Sequence, residues 1–486
     1  MNGRFVLKCV AVCAASTLGF AGSASAQFGP QVKVSNVIEG GVGGVSAARC
    51  GNTIVVGFAD AEPNRPNTFD GFAVSKNGGA SFTDGGTLPV PPPNDFGINV
   101  LGSNFNNPLG QSNPSVACAN SNLFYYASVY SPTGDNCSNG NGGCTAMSVS
   151  ISTNGGTTWG LPVMASVQGS DIFEFVSPSM AVDPTNPAHL YVAYIDTDIT
   201  SNFFHDCDFT SYSTDVVQSL DAGKTWVGPM RVDHACDQLG SDPALTGTLA
   251  GPNITVSPEG NVYLTEEFVG QSGNSNEIHF LRSTDQGNTF SAPMIVSKDA
   301  INNALPQLAV DRTTSKFRGT VYLTWSGMPR GTTTEVLMSD SLNKGVSFSF
   351  PRSVRGTSQG TQINPVVSVD NDGQVATCYY VTGTNTPTSS SNYFYNCLTS
   401  FNHAATWAGY QKLAPVAPPG FDALTSDFLL QNDGFFTAFE LTSAAVTGRD
   451  GSSRRANATS FFRVGLTSTV PGWPVSLPTL QRIIDG

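Results

Sequence analysis

Apolar residues in this chain come in short runs, many alternating with polar ones, and clusters of Gly, Asn, Asp and Ser separate them. Alternation with period two is the mark of a strand with one covered face, and nothing between the runs has the spacing of an amphipathic helix. One stretch shows the unit cleanly. Pro252 to Val256 reads as a strand a, Asn261 to Phe268 as b, Glu277 to Arg282 as c and Pro293 to Val296 as d. The same order recurs, with strand a starting near Val45, Pro114, Pro178, Pro252, Pro306 and Pro365. A further a and b pair follows at Ser426 to Phe428 and Gly434 to Glu440. Seven units fit the chain.

Between c and d, six of these units carry the same eight positions: Ser, any residue, Asp or Asn, any residue, Gly, any residue, Thr or Ser, then an aromatic. The copy at Ser219, Asp221, Gly223, Thr225 and Trp226 is typical. Others end at Phe82, Trp159, Phe290 and Phe348, and a worn copy with Ala404 in place of Gly ends at Trp407. Successive aromatics lie 77, 67, 64, 58 and 59 residues apart, a period that signals a repeated supersecondary unit. The octad is a hairpin recipe: the Asp or Asn accepts from turn N–H groups, the Gly supplies a positive φ, and the aromatic enters neighbouring core.

Four-stranded antiparallel units at this period predict an all-β, seven-bladed β-propeller, with six blades as the alternative count and a linear solenoid as the competing architecture. A stray d-like segment at Phe28 to Ser35, comparable to Val227 to Val232, would complete the last blade, so strand 31–35 is expected to close the ring. Trp473 to Ser476 competes for that slot. All octads then lie on one face. The b–c and d–a loops lie on the other, where the chain places its insertions, at 131–144, 196–212, 382–392 and 445–458, the usual setting for a binding surface.

Residues 1–26 read as a signal peptide: Arg4 and Lys8, an apolar run from Cys9 to Phe20, and a small-residue cleavage site at Ala24-Ser25-Ala26. Residues 27–486 are then one exported domain, secreted, periplasmic or at the cell surface, and no later run is long enough to span a membrane. Removing Arg4 and Lys8 takes the 23 basic residues to 21 against 36 acidic ones, a net charge of −15 that argues against nucleic acid as a partner. Eight cysteines remain, an even count that favours disulfides in an exported chain. Repeat register suggests Cys50 with Cys118, Cys378 with Cys397 and Cys137 with Cys144. Cys207 and Cys236 would then staple two long loops.

With the octads placed, nearly all of the chain resembles the Asp-box (bacterial neuraminidase repeat) propellers of the sialidase superfamily. Thr53 to Ala61 also looks like a sialidase segment. The resemblance implies the fold, and for activity it implies three arginines gripping a carboxylate, a Tyr–Glu nucleophile pair and an Asp acid/base. The first arginine belongs two positions before the Pro of strand a. Ser112, Val176, Ala250, Ala304 and Ile363 stand there, and Gly43-Gly44-Val45-Ser46 opens the first unit, so the clamp is not found.

Counting along each strand b gives one recurring position, Gly57, Ala127, Tyr194, Glu266, Trp325, Tyr379 and Glu440, which is expected to ring the loop-bearing mouth. Glu266, Glu440 and Tyr379 are the candidate catalytic residues. Asp60, Glu62, Tyr194, Asp196, Asp198, Glu267, Trp325 and Arg330 are candidate ligand contacts, because carboxylates bond sugar hydroxyls or act as acid and base, and aromatics offer flat apolar faces. The alternative takes the aromatics as blade-to-blade core and the acids as solvated strand ends. Glu266 and Glu267, adjacent on a strand, point to opposite faces, so one of them is expected at an inner surface. His205 and Asp208, brought by a Cys207–Cys236 bridge beside His234 and Asp237, could hold a cation. No tight metal-ligand spacing supports the cation, and a stapled loop with incidental polar residues is the preferred account. No cofactor is expected, a bound divalent cation being the one exception these residues allow. The function expected is binding of an extracellular glycan or glycoconjugate on the loop face. A sialidase-like glycoside hydrolase and a scaffold for protein interaction are the alternatives.

Overall fold

The computed structural model describes residues 26–28, 32–34, 42–60, 69–89, 108–132, 146–167, 173–198, 210–236, 245–271, 275–302, 304–329, 331, 333–354, 360–370, 372–383, 393–416, 428–431, 434–447 and 453–466. β1 (Ala26–Phe28) and β2 (Val32–Lys33) come first. Blade 1 is β3 (Val42–Cys50), β4 (Thr53–Asp60), β5 (Phe69–Ser75) and β6 (Thr83–Thr87). Blade 2 is β7 (Pro108–Cys118), β8 (Phe124–Pro132), β9 (Ala146–Ser152) and β10 (Val163–Val167). Blade 3 is β11 (Phe173–Val182), β12 (Leu190–Asp198), β13 (Ser211–Ser219) and β14 (Val227–Cys236). Blade 4 is β15 (Gly247–Val256), β16 (Val262–Gly270), β17 (Glu277–Ser283) and β18 (Met294–Ser297). Blade 5 is β19 (Gln307–Val310), β20 (Val321–Gly327), β21 (Glu335–Ser341) and β22 (Arg352–Ser353). Blade 6 is β23 (Gln362–Val369), β24 (Val375–Thr382), β25 (Tyr393–Ser400) and β26 (Ala408–Val416). The last sheet contains β27 (Phe428–Gln431), β28 (Gly434–Thr447) and β29 (Ser453–Leu466).

Six blades are thus four-stranded antiparallel sheets of contiguous chain, and a five-stranded seventh sheet is shared by both ends of the chain. In it β1 and β2 pair with β29, Val32 opposite Phe461. The first strand of each sheet packs on the first strand of the next, from β3 round to β27, and β27 packs on β3. The fold is a closed β-propeller, not an open stack. Trp473 to Ser476 and residues 1–25 lie outside the described residues.

In blades 1 to 6 both faces of strand b are covered, so these strands read as near-continuous buried runs among the described residues. In β16 alternate residues serve alternate interfaces. Val262 and Leu264 join a core with Tyr191, Ala193 and Val216 of blade 3, while Tyr263 packs with Leu308, Val310 and Leu323 of blade 5. Around the axis, backbone N–H groups of one inner strand donate to a side chain of the preceding one: Val116 to Ser46 Oγ (2.8 Å), Met180 to Ser115 Oγ (2.9 Å), Ile254 to Ser179 Oγ (3.1 Å) and Leu308 to Asn253 Oδ1 (2.9 Å). They surround an axial tunnel of about 210 Å³ lined by Pro114, Pro178, Pro252 and Pro365. Just before three of the inner-strand prolines, Ser177, Leu305 and Asn364 adopt left-handed φ of 55°, 46° and 52°. Those residues turn the backbone toward the axis at local strain cost.

The octads close c–d hairpins, all on one face, with a single hydrogen-bond scheme. The Ser Oγ accepts from the fifth-position N–H at 2.8 Å in all six. The Asp or Asn Oδ1 accepts from the seventh-position N–H, for example Thr225 to Asp221 at 2.8 Å. Two successive residues, not one, are left-handed: Ala222 and Gly223 at 62° and 84°, His403 and Ala404 at 56° and 63°. The aromatic plugs the interface with the preceding blade, as Trp159 does edge-on against Phe72 and Tyr126 at 5.8 and 5.7 Å.

Cys50–Cys118 and Cys378–Cys397 are disulfides, as repeat register suggested. Cys236 is also disulfide-bonded, and Cys207, Cys137 and Cys144 lie outside the described residues. One loop assignment is corrected. The segment 445–458 is largely strand: β28 runs on to Thr447 and β29 starts at Ser453, pairing Ala445 with Arg455 and Val446 with Arg454.

Candidate functional site

The recurring strand b position does not ring the mouth. Tyr194, Glu266, Trp325 and Tyr379 pair across to the c strand at the residue four before each octad Ser, opposite Asp215, His279, Leu337 and Asn396. By that register the equivalents in blades 1 and 2 are Phe58 and Ser128, one residue beyond Gly57 and Ala127. A one-residue slip reverses the face, so Gly57 and Ala127 point to the opposite interface. The side chains at the true position are buried against the preceding blade, because only the inner strands line the axis. Tyr194 packs with Tyr125 and Met147 of blade 2, Trp325 with Tyr263 and Phe280 of blade 4, and Tyr379 with Tyr322 and Val336 of blade 5. The reading of these aromatics as blade-to-blade core holds.

The proposed catalytic three are therefore not brought together: Glu266 and Tyr379 occupy separate interfaces, and Glu440 is a β28 position opposite Thr459. Glu267 does point away from Glu266, yet it lines no inner surface; its Oε2 accepts from Ala304 N at 2.7 Å and carries no exposed area. Tyr194 and Asp196 share one face of β12 with Asp215 close by, and burial, then the Asp215 charge, pushes the Tyr194 hydroxyl well above its ordinary range. Asp60 and Asp198 are strand positions in β4 and β12. His234 is a half-buried residue of β14. Glu62, Arg330, His205, Asp208 and Asp237 lie outside the described residues.

What the structure assembles instead is a polar cluster between blades 3 and 4. It forms because Glu266 occupies the position that aromatics hold in blades 3, 5 and 6. Its Oε2 accepts from the Thr214 hydroxyl of β13. Thr214 stands five residues before its octad Ser, as Asp70 does in blade 1, where Asp70 meets Ser128 of blade 2. From Glu266 the cluster continues to Asp233 of β14, whose Oδ1 accepts from His234 N and whose Oδ2 lies 2.8 Å from His279 Nδ1. His279 Nε2 faces Glu277 Oε2 at 3.3 Å, and Glu277 Oε1 pairs with Lys298 at 2.7 Å. Phe268 stacks on the His279 ring, 5.5 Å between centroids and 8° from parallel. Side-chain exposure falls along this line from 62% at Lys298 to 12% at Glu277 and His279 and 7% at Asp233, with Glu266 wholly covered.

Burial, then the neighbouring Asp233 charge and hydrogen bond, holds the Glu266 carboxyl well above the usual carboxylate range. Burial works against the Asp233 carboxylate too, but hydrogen bonds from His279 and Glu266 outweigh it and keep Asp233 low. Two buried acids with divergent proton affinities are an arrangement often met at functional sites. Substrate, however, has no route to Glu266, which has no exposed surface. Sequence reasoning found Glu266 but missed Asp233 and His279. The His279 partnership was recoverable by aligning c strands on the octad Ser; Asp233 depended on knowing which face of β16 meets blade 3.

No protein-family model matches the chain, and no curated relative matches it in sequence. Solved structures do resemble it. A PL25 polysaccharide lyase described as an ulvan lyase superposes with a TM-score of 0.53 and 11% identity, over 94% of this chain and 100% of its own. The α-L-arabinofuranosidase of Fusarium graminearum gives 0.46 and 13%, over 75% and 94%. A sialidase described as Hadza microbial gives 0.45 and 15%, over 86% and 76%. The propeller is the shared feature.

Proposed function

We propose that this chain is an exported Asp-box propeller of the sialidase superfamily that binds or processes an extracellular glycan on the face opposite its octad turns. One observation carries the reading. The six octads occupy a single face, so in every blade that carries one strand b ends and strand c begins on the other. A rigid ring below and long connections above is the arrangement in which loops supply recognition. The full-length overlap with a propeller described as an ulvan lyase supports a carbohydrate as the ligand class. Binding is favoured over hydrolysis through Glu266, Tyr379 and Glu440, since two of those three are wholly buried in different interfaces.

The test is a panel of neutral, uronic and sulfated polysaccharides with a set of aryl glycosides. Binding is read by calorimetry, lyase action by ultraviolet absorbance of an unsaturated product, and hydrolysis by released aryl alcohol. Saturable binding of at least one polysaccharide is expected, with any turnover unchanged in Glu266→Gln. A folded protein that neither binds nor cleaves any of them overturns the reading and leaves the scaffold alternative.

A further inference from the structure

We propose that Asp233, Glu266 and His279 form a divalent-cation site between blades 3 and 4, with Zn²⁺ the best match to their chemistry. The three side chains come from three strands, β14, β16 and β17, of two separate blades, and one donor atom of each lies within 4.8 Å of the others. Asp233 Oδ2 and His279 Nδ1 are 2.8 Å apart. That is a hydrogen-bond distance; two ligands on a tetrahedral ion at about 2.0 to 2.2 Å stand about 3.3 to 3.6 Å apart, so the pair has only to open by about half an ångström to take the ion between them.

A second observation is independent of the clustering. Glu266 is wholly buried, its Oε2 is engaged by Thr214, and its Oε1 receives no N–H or hydroxyl donor among the described residues. A buried carboxylate oxygen is ordinarily satisfied, and one without a partner needs an account. A cation supplies one.

The surroundings are those of a ligand set. Metal-bound histidines commonly give their second ring nitrogen to a carboxylate, which fixes the ring, and here His279 Nε2 faces Glu277 while Phe268 holds the ring by stacking. Thr214 plays the same part for Glu266. An imidazole among the donors disfavours Ca²⁺ and Mg²⁺, which prefer all-oxygen shells, and two carboxylates with one imidazole suit a first-row divalent ion. Two carboxylate charges would be balanced by the ion, and the charge of Glu277 is met by Lys298. The site uses none of His205, Asp208, His234 and Asp237, and its role is to tie two blades together.

The experiment uses the full chain, purified without chelators and dialysed. Elemental analysis by mass spectrometry gives retained metal, and calorimetric titration with ZnCl₂ after EDTA treatment gives affinity, beside thermal unfolding with and without Zn²⁺. One equivalent of metal per chain and a Zn²⁺-dependent rise in Tm are expected. Glu266→Gln should weaken Zn²⁺ binding at least tenfold, and Glu277→Gln, which leaves all three ligands in place, by about 10- to 100-fold. His234→Ala should leave binding unchanged. A folded protein that retains no metal and shows no Zn²⁺-dependent change in Tm overturns the proposal, and a proton shared by Asp233 and Glu266 then accounts for the contact. Equal Zn²⁺ affinity in the wild type and both Glu variants also overturns it. None of these readouts depends on glycan binding.

Discussion

Replacing Asp70 by Asn should stabilise the protein at alkaline pH and leave it unchanged in acid. Asp70 is 3% exposed in the interface of blades 1 and 2. Burial raises its carboxyl from 3.8 to about 7, with the Ser128 hydroxyl pulling part of the way back. The folded protein therefore holds this proton more tightly than the unfolded chain. Where the native state binds more protons, stability falls as pH rises, so the penalty is absent below about pH 4, grows between about 4 and 7, and is complete above 7. The difference corresponds to about 4 kcal/mol, a large share of the 5 to 15 kcal/mol typical of a folded protein. Asparagine has the same shape and no charge to bury. Urea denaturation followed by tryptophan fluorescence, disulfides intact, should show Asp70→Asn about 2 to 4 kcal/mol more stable than wild type at pH 8 and within about 1 kcal/mol of it at pH 4. Asp370, also raised to about 7 chiefly by burial, should leave a residual slope of the same sign in the variant. Equal stability of the two proteins at pH 8, or an unchanged slope between pH 4 and 7, would refute the argument. Asp221 and Asp285 act in the opposite sense. Turn hydrogen bonds, led by those from Thr225 and Thr289, lower them to about 2, so what they contribute is present above about pH 4 and lost as pH falls through 2. Wild type should be most stable near pH 4 to 5.

Removing the Cys50–Cys118 bridge by a double substitution to Ala opens a loop of sequence separation 68, which in a chain-entropy estimate costs about 4 kcal/mol. A shift in urea midpoint worth less than about 1 kcal/mol would show that the blade interface alone holds these strands. Gly287→Ala should cost about 2 to 4 kcal/mol. Its φ is +80°, and an added Cβ would come within 2.6 Å of Tyr191 Cε1 in the neighbouring blade. Ala404 occupies the same turn position in blade 6 with its methyl buried. Denaturation of Gly287→Ala with no loss would mean that the turn and Tyr191 are not in contact.

The fold was legible where chemistry is local. Each octad specifies its own hairpin through a Ser, an acid or amide and a Gly, so strand order, blade period and two cysteine pairs followed without knowledge of tertiary contacts. The second left-handed residue was not, since Ala222, Gln286, Lys344 and His403 carry no sign of it. The site was legible only as far as Glu266. Which neighbour a b-strand residue faces depends on bulges in the inner strands, such as those between Val176 and Ser179 or Ala250 and Asn253. Those bulges appear only once the strands are paired. Gly57 slipped for a more local reason: Gly51 lies three residues before the strand b residue opposite its octad Ser, where Gly260, Gly319 and Gly373 lie two before theirs.

The bonds donated by backbone N–H groups of the inner strands run in one sense, from Val116 back to Ser46 and from Leu308 back to Asn253. A joint that is repeated head to tail does not limit its own number; it can coil indefinitely or recruit another molecule at its free end. Here the terminal segments interlock in a common sheet, so no unmatched end is left over, and the pieces that hold the circle shut are those furthest apart along the polypeptide.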